Sequence, residues 1–104
     1  MLEIEVDHRF AEAKLSVWVD DHLSYTHPLE GTDKKRLVVF HHVQGHELHA
    51  MQVPAGNHHL RVRVTSDAVG YDQSATVTGE FASKQDNVLQ VTFDKHGDIN
   101  LNLQ

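Results

Sequence analysis

The sequence predicts an all-β fold: an antiparallel β-sandwich of eight or nine short strands, immunoglobulin-like or prealbumin-like. Three observations carry that expectation. Leu60, Val62 and Val64 alternate with His59, Arg61 and Arg63, so one face of that segment is apolar and the other polar. Similar runs recur at short intervals with turn-forming residues between them. No stretch holds a helical period, and Ala11-Glu12-Ala13-Lys14 is too short to stand as a helix.

From the N-terminus, Leu2, Ile4 and Val6 alternate with Glu3, Glu5 and Asp7. Leu15, Val17 and Val19 alternate with polar neighbours and Trp18, and Asp20-Asp21 supplies a turn. His22 to Leu29 resumes the extended pattern as far as Pro28. Glu30 to Lys35 reads as loop, and Leu37-Val38-Val39-Phe40 as a strand covered on both faces. Gln44-Gly45-His46 reads as a tight connection into a strand with Leu48, Ala50 and Gln52 on one side. His49, Met51 and Val53 take the other side. Pro54 and Gly56 shape the turn before Leu60 to Val64. Ser66 to Asp72 reads as a loop. Strands are expected at Ala75 to Phe81 and Val88 to Phe93, and a hairpin through Lys95-His96-Gly97-Asp98 leads to Ile99 to Leu103. Phe10, Phe40, Phe81 and Phe93 are core candidates.

A chain of 104 residues has room for one domain with one core, so residues 1–104 are read as a single sandwich, excised from a longer protein. Nine Lys and Arg against fifteen Asp and Glu give a formal charge of −6. The only basic run is Lys34-Lys35-Arg36, too little to neutralise a phosphate backbone, so nucleic acid is not an expected partner. With no cysteine, disulfides, thiolate catalysis and Cys-based zinc sites are excluded. No apolar run is long enough to span a bilayer as a helix, so no membrane insertion is expected of this segment. Ten His are the unusual feature of the composition: protonating them all would carry the formal charge from −6 to +4.

Val17-Trp18-Val19-Asp20-Asp21-His22 resembles the strand and turn of PEGA domains, and Pro28-Leu29 stands where that family has Thr-Pro-Leu. Val53-Pro54-Ala55-Gly56-Asn57-His58-His59-Leu60-Arg61-Val62 resembles the family's Gly-containing turn. Gly70-Tyr71 resembles the Gly-Tyr pair beyond that turn, and Ala75-Thr76-Val77-Thr78 the family's next strand. The likeness runs from about Leu15 to Gly79, with Glu30 to Glu47 as an insertion and Asp21 where the family has Gly. The resemblance implies a small sandwich appended to a larger, bacterial envelope or signalling protein. It would be extracytoplasmic or membrane-tethered through a segment outside this chain, and would have no catalytic residues and no cofactor.

The expected function is therefore a non-catalytic interaction or structural accessory module, not an enzyme, with a protein as partner. Monomer or weak edge-mediated dimer is the expected state. An alternative is a carbohydrate-binding module. Trp18 falls on the outer face if Leu15, Val17 and Val19 are core, and with Tyr25 and Tyr71 it supplies aromatic surface for stacking. A second alternative is a His-rich metal-binding module, since His41, His42, His46, His49, His58 and His59 lie between residues 41 and 59. Ligands on one face of a strand are spaced by two, and the chain contains no His-x-His. His46-Glu47-Leu48-His49 does not match a zinc-peptidase helix, because its His are three apart in a segment that reads as strand. Asp67, Asp72 and Gln73 match no calcium loop and read as turn residues.

Overall fold

The computed structural model describes residues 1–35 and 41–104, with residues 32–35 and 41–44 described as backbone only. Among the described residues, nine strands form two facing sheets: β1 (Leu2–His8), β2 (Glu12–Val19), β3 (His22–Glu30), β4 (Thr32–Lys35), β5 (His41–Met51), β6 (Gly56–Ser66), β7 (Tyr71–Phe81), β8 (Asn87–Phe93) and β9 (Ile99–Leu103). One sheet has the order β4-β5-β1-β8-β9 and the other β3-β2-β6-β7. The all-β sandwich is thus the architecture. Successive hairpins alternate between the sheets, which places neighbouring hairpins face to face across one core.

Alternation does the sorting. Leu2, Ile4, Val6, Leu89 and Val91 line the inner face of the five-stranded sheet, and each is fully buried. Leu15, Val17, Leu60, Val62 and Val64 meet them from the other sheet, also fully buried. Phe81 joins the core, while Phe10 and Phe93 pack at its margin. The turn between β2 and β3 is made by Asp20 and Asp21, with φ of 49° and 69°. A two-residue hairpin turn of this hand matches the twist of its strands, and Asp tolerates that backbone.

Four expectations are corrected. Residues 32–35 form strand β4 and not a loop, paired with His41 to Gln44. At the end of a sheet a strand needs no apolar face, so polar composition hid it. Gly45 is no turn: β5 runs straight through it, with Gly45 opposite His8. Strand β6 continues to Ser66, and β7 starts at Tyr71 after a single 3₁₀ turn ending on Gly70 at φ 64°. Finally, one pairing is parallel, β1 beside β8, whereas every other ladder among the described residues is antiparallel. The strand expected at Leu37-Val38-Val39-Phe40, and Phe40 as a core residue, lie outside the described residues.

The two long seams of the sandwich are closed differently. Between β7 and β9, Gln73 accepts the Ile99 N–H at 3.2 Å, Tyr71 donates to the Gly97 carbonyl at 2.6 Å, and Leu103 packs on Gly79. Between β3 and β5, seven of the nine β3 residues are exposed, and only Tyr25 and Leu29 turn inward. That sparsely packed seam holds a cluster of titratable side chains.

Candidate metal centre

Strand β5 places Glu47 and His49 two residues apart, hence on one face, pointing across the seam. Strand β3 brings His27 from the opposite sheet. One donor atom each from His27, Glu47 and His49 lies within 4.8 Å of the other two.

The hydrogen bonds around these side chains fix which atoms are available. The Pro28 carbonyl can only accept, so His27 donates to it from Nδ1, at 2.7 Å, and Nε2 keeps its lone pair. The Tyr25 hydroxyl lies 2.8 Å from His49 Nδ1, and Nε2 offers a lone pair in the tautomer whose Nδ1–H donates to that hydroxyl oxygen. His49 Nε2 is buried and has no hydrogen-bond partner among the described residues, in a side chain only 5% exposed. It faces Glu47 Oε1 at 3.5 Å, too far for a good hydrogen bond. The other oxygen, Glu47 Oε2, is occupied: it accepts the Glu30 N–H at 2.9 Å and His8 Nε2–H at 3.0 Å. His8 must carry its proton on Nε2, because Nδ1 accepts the Phe10 N–H at 3.1 Å. The His8 side chain is completely buried, and its ring fits only because residue 45 is Gly; a Cβ there would stand 2.3 Å from Nε2.

The electrostatics suit a cation. Burial pushes His49 below the ordinary imidazole value, His27 pushes it further, and Glu47 opposes only in part. His49 is therefore a neutral ligand near pH 7. Burial would raise the Glu47 carboxyl, but the Glu30 N–H and His8 outweigh it and hold the group ionised below the usual carboxylate range. Burial, reinforced by Glu47, raises the Tyr25 hydroxyl, so that it keeps its proton. Two imidazoles and one carboxylate, each supported by an outer hydrogen bond, form a donor set suited to zinc, copper(II) or nickel(II). Metal–donor distances of about 2.0–2.2 Å require tighter convergence than 4.8 Å. The exposed His27 arm is the one with room to move.

The remaining His singled out from the sequence are dispersed. His46 lies on the outer face of β5, its Nδ1 against Asp7 Oδ1. His58 pairs with Asp20, and the His59 N–H donates to the same carboxylate at 3.0 Å. The side chains of His41 and His42 lie outside the described residues. Of the four whose side chains are described, only His49 belongs to the cluster, and His27 and Glu47 are not among the six.

The three aromatics also separate. Trp18 faces outward, half-buried, with the Arg61 guanidinium 4.3 Å above its ring. Tyr25 turns inward to His49, because a bulge after Val17 sets Tyr25 opposite Val17 and Trp18 opposite Leu23. Tyr71 packs at one end of the sandwich against Phe10 and Phe93. Asp72 is held by a bidentate Arg63.

His58 and Asp20 yield a pH prediction. Asp20 hydrogen-bonds His58 and raises its imidazole above the ordinary 6.5, while His58, then His59, lower Asp20. A raised His stabilises the fold fully below its unfolded value and loses that contribution as pH climbs through its folded value. A lowered Asp stabilises above its unfolded value and loses that contribution in acid. Between about pH 6 and 8.5 the thermal midpoint of His58→Gln should fall less than that of the wild type, measured by circular dichroism melts. Parallel slopes would show that the pair does not couple to folding.

Comparison with protein-family models, with curated proteins and with solved structures finds no match.

Proposed function

We propose that this chain is a non-catalytic accessory sandwich that binds a divalent transition-metal ion, zinc foremost, through His27, Glu47 and His49. The observation that carries the reading is the buried, unpartnered Nε2 of His49, facing Glu47 Oε1 with His27 alongside. A buried polar atom without a partner costs stability, and a cation between it and the carboxylate removes that cost. Three protein donors leave a fourth position for water.

Calorimetric titration of the chelator-stripped protein with zinc chloride tests this. One ion per chain is expected, with a melting temperature that rises with zinc and returns with chelator. At a free zinc concentration of 100 Kd the added stability is about 2.7 kcal/mol. A His27→Ala/Glu47→Gln double variant should lose this response. An equal response in the variant would assign binding to surface His and sink the reading.

The outer face of the four-stranded sheet supports a second reading, contact with a protein partner. Trp18 and Arg61, residue types that anchor interfaces, lie there beside Leu23, which is 59% exposed. Arg61 already covers the Trp18 ring, which favours this reading over sugar stacking.

A further inference from the structure

Resting on that metal reading, the geometry points to what the ion does: we infer that it is a structural staple, joining the β3 edge of one sheet to β5 of the other.

The two seams of the sandwich are unequal. The β7–β9 seam is closed by protein groups alone, through the Gln73, Tyr71 and Leu103 contacts. At the β3–β5 seam, few side chains of the edge strand reach the core. The direct polar links across it are Tyr25 to His49 and the Glu30 N–H to Glu47, among the described residues. Both links end on residues of the metal cluster. Among the described residues strand β3 is a sheet edge with one strand neighbour, β2, and that ladder is broken by the bulge at Val17/Trp18. Pro28 within it gives no amide hydrogen to any ladder. An edge strand so held opens locally at lower cost than the central strands β2 and β6.

The donor set spans that gap. His27 belongs to β3, while Glu47 and His49 belong to β5. An ion bound to all three ties the edge strand to the opposing sheet at its midpoint. The flanking contacts already aim at it: Tyr25 holds the ring of His49, and Glu30, the last residue of β3, holds the carboxylate of Glu47. The ion completes a cross-link in which β3 contributes on either side of His27. A staple requires ligands from both elements that it joins, and this donor set is divided between β3 and β5.

Hydrogen–deuterium exchange of the full chain, with zinc chloride and with chelator, tests the staple. Zinc is expected to slow exchange at Tyr25 to Leu29 at least tenfold more than at Leu60 to Val64. Binding of zinc in calorimetry without selective protection of β3 would overturn the staple and leave the metal reading intact. A uniform slowing along the chain would overturn it too, since that reports only global stabilisation. Failure of zinc to bind at all would overturn both. The comparison uses the wild-type protein and does not depend on whether a variant folds. His27→Ala adds a second measurement: its β3 exchange with zinc should match that of the wild type with chelator.

Discussion

Leu15→Ala is expected to lower stability by about 3–5 kcal/mol. Leu15 is fully buried on β2, an interior strand of its sheet, opposite His27 on one side and Val64 on the other. Truncation removes its contacts with the core and leaves a cavity bounded by two ladders that resist collapse. Domains of this size have total stabilities of about 5–15 kcal/mol, so the loss is a large part of the whole. At roughly 4–8 °C per kcal/mol, the melting temperature should fall by about 12–40 °C. Urea unfolding followed by Trp18 fluorescence measures it, with an unchanged slope if only the native state is affected. Leu23→Ala is the control: its side chain lies on the outer face at 59% exposure, and its cost should stay within about 0.5 kcal/mol. Equal costs at the two positions would mean that the sandwich core is not where alternation puts it.

That contrast shows what could be read from the chain itself. Wherever a strand buries one face, period-two alternation announces it, and the segments around Ile4, Leu15 and Val62 were legible for that reason. Strand β4 was not, because Thr32-Asp33-Lys34-Lys35 has no apolar side to reveal. Gly45 carried two meanings, turn or close approach, and only the position of His8 selects the second. The parallel partnership of β1 with β8 depends on long-range chain path, which leaves no local trace.

The candidate cluster of His27, Glu47 and His49 is half legible in the sequence. Same-face spacing of two is absent between His residues, since the chain has no His-x-His. Glu47-Leu48-His49 satisfies the same rule with a carboxylate as one donor. His27 had no such signal, since its place beside Glu47 comes from the packing of two sheets and from no sequence interval. The inward turn of Tyr25 is hidden for a related reason: a bulge changes which residues oppose one another, and a bulge has no reliable mark in composition.

Gly45→Ala should damage both fold and site from a position that touches no ligand. The added methyl would meet His8 Nε2 at 2.3 Å, His8 Cε1 at 2.4 Å and the Glu30 carbonyl at 3.0 Å. The His8 ring cannot swing into solvent, because it is wholly buried and fixed by the Phe10 N–H. Overpacking costs about 1–3 kcal/mol, and loss of a hydrogen bond to a charged group about 1.5–3 kcal/mol. Alanine's smaller loss of conformational entropy on folding offsets about 0.5–1 kcal/mol, so a net loss of about 1.5–5.5 kcal/mol is expected. Zinc affinity should fall by about 10- to 100-fold, because Glu47 loses one of the two donors, His8 and the Glu30 N–H, that fix its Oε2 and so aim Oε1 at His49. A double-mutant cycle separates this from a general strand effect. In a His8→Ala background the ring is gone, and adding Gly45→Ala should then cost little in either stability or affinity. A penalty that persists there would mean that residue 45 acts through the Glu30 carbonyl or the backbone of β5 and not through His8.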